Sequence, residues 1–178
     1  MKKNVIVFGS IAGIIVSAFM FVSMLMLNKN SDYSGSMLLG YTSMLIAFSF
    51  VFVGIKNFRD KYNNGQLTFG KGFKIGLLIS LIASTFYVVT WILEFNFFIP
   101  DFMESYGAHM VKQAKESGAS QLEIDKQITE MAYYKEMYKN PLFMILITYM
   151  EVLPVGILVT LISAGILKRK AKEETQTS

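Results

Sequence analysis

Four long apolar runs constrain this chain more than any other feature, because each is long enough to cross a lipid bilayer as a helix. A hydrocarbon core of about 30 Å needs roughly 20 apolar residues in a helix. The first two runs, Val5 to Leu27 and Met37 to Ile55, contain no charged residue, and each of the others contains one acid, Glu94 or Glu151. Because lipid offers no partner to an unpaired amide, every run is predicted to be helical. The predicted spans are about 5–27, 37–56, 73–99 and 141–167.

Composition agrees with a single membrane domain and excludes several kinds of chemistry. Of the 178 residues, 53% are hydrophobic, and the mean hydropathy is +0.43, which is more apolar than usual for a soluble domain. This length suits one domain, 1–178. The chain has no cysteine, which excludes disulfides and thiolate sites, and a single histidine, His109, which excludes a multi-histidine metal site. We therefore expect no cofactor, no metal and no catalytic centre.

The distribution of lysine and arginine predicts how the spans are oriented. Eleven of the seventeen basic residues lie in the N-terminal segment, around the loop between spans two and three, or in the C-terminal tail 168–178. With four spans these three segments share one side of the membrane, and the positive-inside rule makes that side cytoplasmic. We therefore predict a multi-pass protein of the cytoplasmic (inner) membrane with both termini in the cytoplasm.

The predicted cytoplasmic loop, 57–72, combines a turn signal with basic residues. Asn64-Gly65 between apolar residues is typical of a tight turn. The basic residues lie beside apolar runs, so a membrane surface is a plainer partner for them than nucleic acid, and no nucleic-acid partner is expected. A nucleotide site is not predicted either, because the glycines do not have P-loop spacing. The candidate contacts to lipid head groups are Lys56, Arg59, Lys61, Lys71 and Lys74.

The loop between spans three and four, 101–140, is predicted to form an amphipathic helical hairpin on the outer side. Ser120 and Glu123 have the spacing of a capping box, and Gly118 before them suits the end of a helix. The hairpin either covers the expected four-helix bundle or lies on the bilayer surface, and a partner- or ligand-binding cap is a third alternative. Two apolar stripes are predicted, Phe102, Tyr106 and Met110 on one helix and Ile124, Ile128, Met131 and Tyr138 on the other.

Glu94 and Glu151 are the acids inside the apolar spans, and they define a candidate intramembrane site. A charge at such a depth costs about 2.5 kcal/mol or more, so these residues usually face other helices. From the span ends, Glu94 lies roughly 8 Å and Glu151 roughly 15 Å below the outer surface. The two acids can line one cavity, but they are not predicted to be in contact. Without a cation at that depth, at least one is expected to be protonated at neutral pH or to lie in a water-filled cavity.

Polar and aromatic residues are predicted beside the two acids. Tyr87 and Trp91 precede Glu94 by seven and three residues and share its face of the helix. Pro154 is expected to kink span four and to free a carbonyl near Glu151, an arrangement that also occurs in transporters. Interfacial packing is the alternative interpretation of the aromatic residues. The candidate polar site comprises Tyr41, Tyr87, Trp91, Glu94, Thr148, Glu151 and Pro154.

Small residues recur at every fourth position in three of the spans. Such rows allow helices to approach closely, so they are predicted to be packing seams. The rows are Gly9, Gly13 and Ser17; Gly72, Gly76, Ser80 and Ser84; and Gly156, Thr160 and Ala164.

Several short motifs, found in order along nearly the whole chain, resemble a family of small four-span bacterial membrane proteins. They include Gly40-Tyr41-Thr-Ser-Met, Gly54-Ile-Lys56-Asn-Phe-Arg59-Asp60, Gly65-Gln-Leu-Thr-Phe69, Tyr87-Val-Val-Thr-Trp91, Tyr138-Lys-Asn-Pro141 and Glu151-Val-Leu-Pro154-Val-Gly156. The family is the one catalogued as domain of unknown function 4199. The resemblance implies an all-α, four-span protein of a bacterial inner membrane with no established activity. It carries no catalytic residue over to this chain.

Three classes of function are compatible with these features. A non-enzymatic scaffold, assembly factor or regulator is favoured, acting through the outer helices and the membrane helices. A small proton- or cation-coupled transporter or channel that uses Glu94 and Glu151 is the main alternative. An enzyme acting on lipids is not expected, because neither an H-E-x-x-H nor a G-x-S-x-G pattern is present. The expected partners are membrane lipids, a second copy of the chain or another membrane protein.

Overall fold

The computed structural model describes residues 1–30 and 33–169, and it describes side chains in those ranges outside 25–37. This part of the chain is all-helical apart from one isolated pair of extended residues, which confirms the predicted fold class. Four helices are long and apolar enough to cross a membrane, as the four apolar runs predict. The helices are α1 (Lys2–Asn30), α2 (Tyr33–Tyr62), α3 (Phe69–Phe97), α4 (Phe102–Glu116), α5 (Gln121–Tyr138) and α6 (Pro141–Leu167).

The helices extend beyond the predicted spans into segments that contain basic or polar residues. α2 continues to Tyr62, so the predicted loop 57–72 is shortened to 63–68. Lysine and arginine are compatible with this extension, because the apolar stem of each side chain lies along the helix surface while its charged end reaches water. α3 begins where Thr68 caps it, since the Thr68 side chain accepts a hydrogen bond of 3.3 Å from the Lys71 amide.

Helices α1, α2, α3 and α6 pack against one another around an apolar core. α1 and α6 each contact both α2 and α3, and α2 also contacts α3. α1 begins at the end of the molecule where α2 finishes, because the Asn4 side chain donates a hydrogen bond of 3.0 Å to the side chain of Asn57. Fully buried apolar side chains of α2 and α3 in this core include Met44, Phe48, Ile55, Ile75 and Ile79.

Rows of small residues bring α3 close to α1 and to α6, as predicted. A Cβ atom at Gly13 would lie 2.6 Å from a side chain of α3, and one at Gly76 would lie 2.6 Å from Thr160 of α6. Neither distance leaves room for a methyl group, so both helix pairs depend on glycine here. The third row also lies in a seam, because a Cβ atom at Gly156 would lie 2.8 Å from Ser80.

The end of the molecule that carries the N-terminus is called the basic end here, because the predicted head-group residues lie there. Asn64 and Gly65 both have positive φ, 51° and 72°, which confirms the predicted turn. Leu67 and Arg169 exchange two backbone hydrogen bonds of 2.9 and 2.8 Å. This pair holds the C-terminal end of α6 to the turn between α2 and α3.

Four of the five basic residues predicted to contact lipid head groups are exposed at the basic end. The exception is Arg59, which is half-buried and donates a hydrogen bond of 3.5 Å to the Leu167 carbonyl. Arg59 therefore also connects α2 to α6. Contact with lipid stays a prediction for all five residues. The four exposed ones are Lys56, Lys61, Lys71 and Lys74.

Helices α4 and α5 form the predicted hairpin between α3 and α6. Ser120 and Glu123 form the capping box at the start of α5, and Gly118 ends α4 with a positive φ of 77°. Both features were predicted because a helix start and a helix stop depend on local sequence. The end of the membrane helices that adjoins this hairpin is called the hairpin end.

The two hairpin helices pack through small and charged residues. Gly107 permits the approach, since a Cβ atom there would lie 3.4 Å from Met131. Glu104 of α4 and Lys135 of α5 form an ion pair. The predicted apolar stripe of α5 is not fully covered, because the Ile128 side chain is 48% exposed. The hairpin therefore keeps an apolar surface that its own helices do not bury.

Candidate functional site

The hairpin end contains the most unusual side chain of the molecule, the carboxyl group of Glu94. Glu94 lies in the last turn of α3 and is 2% exposed. Among the described residues, neither of its carboxyl oxygens has a hydrogen-bond partner. A buried polar group without a partner costs about 1–3 kcal/mol, and an unpaired carboxylate costs more. Packing alone therefore does not explain this residue.

Tyr87 connects Glu94 to the second acid, Glu151. Its side chain is buried on the same face of α3, two helical turns before Glu94. The phenol group is close enough to the Glu151 carboxyl group on α6, and to Glu94 and Tyr41, to interact with them electrostatically. The two acids therefore share one neighbour although they lie at different depths.

Glu151 differs from Glu94 in its accessibility. It lies about 15 Å from the start of α6 at Pro141. Many protein atoms surround its carboxyl group, yet the residue is exposed at the side of the helix. Tyr106 and Tyr138, both from the hairpin, are within electrostatic range. Glu151 is therefore the accessible acid of the two, and Glu94 is the enclosed one.

A chain of aromatic contacts attaches the hairpin to the membrane helices beside these acids. The Trp91 ring meets Phe102 edge to face with 5.0 Å between centroids, and Phe102 stacks on Tyr106 at 5.7 Å. At the other end of the hairpin, Tyr138 contacts Phe95 at 5.6 Å. Aromatic pairs of this kind contribute about 0.5–1.5 kcal/mol beyond the area they bury. The base of the hairpin is thus packed on the end of α3.

The two hairpin tyrosines at this site are held in their neutral form. Burial raises the pKa of Tyr138 to about 12, and the nearby Glu151 adds to this effect, whereas a hydrogen bond with Trp91 opposes it. Burial and Glu151 also raise the pKa of Tyr106. Both phenols are therefore neutral hydrogen-bonding groups at physiological pH.

The residues predicted for the polar site do not all lie in this cluster. Thr148 is buried, but its hydroxyl donates a hydrogen bond of 2.7 Å to the Met144 carbonyl of its own helix. Pro154 is exposed, and α6 continues through it from Pro141 to Leu167. The residues that do come together are Tyr41, Tyr87, Trp91, Glu94 and Glu151.

Tyr106 and Tyr138 belong to the cluster, although the sequence predicts them only as members of apolar stripes. Their position could have been inferred from the short connections that join the hairpin to α3 and to α6. α4 begins at Phe102, shortly after α3 ends, and α6 begins at Pro141, shortly after α5 ends. Short connections place both ends of the hairpin beside the ends of α3 and α6, so aromatic residues there reach the site.

The cluster is suited to binding a proton or a small cation. It combines two carboxyl groups with neutral phenols, and oxygen atoms of this kind accept protons and bind hard cations. A carboxyl group and a phenol that lie close together also suit proton transfer. Tyr87 lies within electrostatic range of both the exposed Glu151 and the enclosed Glu94.

These features define a class of protein: all-helical, with four helices able to cross a membrane and a helical hairpin that joins the last two. The chain belongs to the family described as Protein of unknown function (DUF4199), whose model matches residues 7–169. The match covers nearly all of the four candidate spans and the whole hairpin, and it confirms the resemblance seen in the sequence motifs. No curated protein and no solved structure matches the chain.

Proposed function

We propose that this chain is a non-enzymatic component of a bacterial cytoplasmic membrane, a scaffold, assembly or regulatory protein in which occupancy of the Glu94 site controls the position of the hairpin. The observation that carries the proposal is the buried Glu94 carboxyl group, without a hydrogen-bond partner among the described residues, beside the aromatic contacts that attach the hairpin. This arrangement places an ionisable group next to the element that extends from the membrane helices.

The first step is that Glu94 requires neutralisation where it lies. A bare carboxylate in an apolar site is expensive, and a bound proton or small cation removes most of that cost. The ionisable groups that interact with Tyr87 beside it are Glu94 itself, Glu151 and Tyr41, and none of them carries a positive charge. Loss of the proton or cation therefore leaves a charge that draws water into the site.

The second step links this change to the hairpin. Trp91 lies about one helical turn before Glu94, and both are on the buried face of α3. The Trp91 ring packs on Phe102 in the first turn of α4. Water that enters beside Glu94 therefore weakens the attachment of α4 first, and the hairpin becomes free to move or to bind a partner.

Close packing in the basic half favours regulation over transport through a single chain. α3 and α6 meet there at Gly76 and Gly156, where a Cβ atom would lie under 3 Å from the opposite helix. Ser80 and Thr160 share a buried hydrogen bond of 3.1 Å across the same contact. A change at the hairpin end is therefore expected to leave the basic half in place.

The proposed membrane placement follows from charge. The lysines and arginines of the basic end outnumber the acids there, whereas acids outnumber lysines in the hairpin segment 101–140, and this makes the basic end cytoplasmic under the positive-inside rule. Both termini then lie in the cytoplasm, and the hairpin lies outside. Anionic lipid head groups are the partners expected for the basic end, and the exposed apolar faces of the long helices suit lipid, a second copy or another membrane protein.

The test is a distance measurement between the hairpin and the membrane helices as a function of pH. The chain has no cysteine, so spin labels attach only at introduced sites, Ser117→Cys in the hairpin turn and Phe97→Cys at the end of α3. In lipid nanodiscs, the labelled chain should show two distances whose populations change with pH. Glu94→Gln should hold one population at every pH, and Glu130→Gln, at an exposed acid of the hairpin, is the matched control that should keep the response.

Two outcomes distinguish between the possible occupants, and a third tests the proposal itself. An infrared band of a protonated carboxyl group that disappears in Glu94→Gln identifies a proton as the occupant, and a distance change driven by salt at constant pH identifies a cation. If Glu94→Gln responds to pH as the unsubstituted chain does, the proposal is wrong.

Proton- or cation-coupled transport is the alternative function, and the position of Tyr87 within electrostatic range of both acids favours it. In this alternative the two acids exchange the ion through Tyr87. Flux into proteoliposomes that is lost in both Glu94→Gln and Glu151→Gln supports transport. Absence of flux under any imposed gradient, together with a hairpin that moves, supports the regulatory function.

A further inference from the structure

A groove between α4 and α5 lies outside the Glu94 cluster. Its volume is about 500 Å³, within the range of about 300–1,000 Å³ that is usual for small-ligand pockets. The floor is apolar and includes the small residues Gly107, Ala108 and Ala132. Ile128 also lines the groove and is 48% exposed. An apolar floor with a few polar groups at its rim is the usual lining of a ligand site.

The rim of the groove is basic, whereas the hairpin as a whole is acidic. Segment 101–140 contains five lysines and seven acids. Three of these lysines line the groove, together with a single acid, Glu104. Glu104 forms an ion pair with Lys135, and Lys112 lies 3.8 Å from Glu116 in an exposed pair of the kind that contributes little. The positive charge on the rim therefore comes from Lys115 and from Lys112, which is only weakly paired. This segregation of charge favours an anionic ligand.

The groove continues towards the membrane helices. Met103, Glu104 and Lys135 also line a smaller pocket of about 200 Å³, which reaches Phe95 of α3 and Tyr138 at the end of α5. An apolar chain can therefore extend past the Glu104–Lys135 pair to the boundary of the long helices. The path joins the basic rim to the region where an amphiphile would leave the bilayer.

We propose that this groove binds a single-chain anionic amphiphile, with its acidic head group at Lys112 and Lys115 and its apolar chain along the floor towards Met103. The volume favours one chain rather than two. If each methylene takes about the volume of a water molecule, roughly 30 Å³, a chain of about sixteen carbon atoms fills the 500 Å³ of the groove. A long-chain carboxylate meets both requirements, and the inference does not depend on the function proposed for Glu94.

The test is equilibrium binding of palmitate to the full chain in phosphatidylcholine nanodiscs, measured by displacement of a fluorescent long-chain carboxylate. Lys112→Glu combined with Lys115→Glu should weaken binding about tenfold, because repulsion replaces attraction at two positions. Lys126→Glu is the matched control, since Lys126 is an exposed lysine outside the groove, and it should leave the affinity unchanged. Ala108→Leu should also weaken binding, because it fills part of the floor at an exposed position outside the contact between the two helices.

Three results would overturn the proposal, and each identifies a different property of the groove. Hexadecanol that competes as strongly as palmitate would show that the acidic head group is not recognised. Co-purified phosphatidylglycerol that palmitate does not displace would assign the groove to a two-chain membrane lipid. A dimer that dissociates in Ala108→Leu, without palmitate binding, would assign it to a second copy. Glu94→Gln should not change palmitate affinity, so failure here is distinct from failure of the proposed function.

Discussion

The basic half and the hairpin end of this molecule join their helices with different kinds of side chain. In the basic half, α3 and α6 meet through small residues, with Gly76 against Thr160 and a hydrogen bond between Ser80 and Thr160. At the hairpin end, the contacts involve the enclosed acid Glu94 and large rings such as Trp91. Small residues allow dense packing that has one arrangement, whereas a carboxyl group without a described partner destabilises its surroundings. Stability is therefore expected to reside in the basic half, and a response to conditions at the hairpin end.

The largest effect should come from filling the glycine seam. Gly76→Leu should lower the free energy of unfolding by about 1–3 kcal/mol or more, because even a Cβ atom at Gly76 would lie 2.6 Å from Thr160. Gly70→Leu is the matched control, since no atom lies within 4 Å of a Cβ built at Gly70. Equilibrium unfolding in mixed micelles measures both variants. Equal losses would contradict the assignment of stability to the seam.

A change of opposite sign is expected at the hairpin end. Glu94→Leu should raise the free energy of unfolding by about 1–3 kcal/mol, because it removes a buried carboxyl group that lacks a hydrogen-bond partner among the described residues. Glu151→Leu should have a smaller effect, since the Glu151 carboxyl group interacts favourably with Tyr87 and the substitution removes that interaction. The same unfolding assay applies. Destabilisation by Glu94→Leu would mean that a polar partner stabilises this residue in the membrane.

The hairpin should be held to the long helices less firmly than α3 and α6 are held to each other. Amide hydrogen exchange measures the local stability of each contact. Phe102→Ala removes the edge-to-face contact with Trp91, so exchange in α4 should accelerate roughly tenfold while α3 and α6 keep their protection. Leu122→Ala, at a side chain that is 80% exposed, is the control and should change little. Loss of protection throughout the molecule would show that the hairpin and the long helices unfold as one unit.

The basic half could be predicted from sequence more completely than the hairpin end, and the reason is physical. Apolar runs and small-residue rows are periodic, so their consequences follow from helix geometry, as Gly13 and Gly76 illustrate. The Asn64-Gly65 turn and the Ser120 cap are equally local, because each depends on neighbours within a few residues.

The candidate site depends on contacts between distant segments, which local patterns do not specify. Tyr106 and Tyr138 join Glu151 because the hairpin folds back onto the ends of the long helices. Thr148 shows the converse, since it lies near the predicted depth but its hydroxyl donates to its own helix at Met144. Sequence position gives the depth of a residue, whereas the rotation and docking of helices decide which residues meet.

The smallest effect should come from the Glu104–Lys135 ion pair of the hairpin. The Lys135 ammonium group lowers the pKa of Glu104 below its ordinary value. Because the folded-state pKa is the lower one, the pair stabilises the hairpin at pH above the ordinary pKa, and that stabilisation is lost as the pH falls through the folded-state value. Both side chains are largely exposed, so the contribution is small and is screened by salt.

Amide exchange of α4 and α5, corrected for the intrinsic rate, can separate this response from that of Glu94. Glu104→Gln should be slightly less protected than the unsubstituted chain at neutral pH and equally protected at a pH well below the folded-state pKa of Glu104, where this carboxyl group is protonated. High salt should remove the difference at neutral pH. A difference that persists in acid or in salt would assign Glu104 a packing role. Glu94→Gln, in contrast, should change the attachment of the hairpin at Phe102 without altering the effect of salt on the Glu104–Lys135 pair.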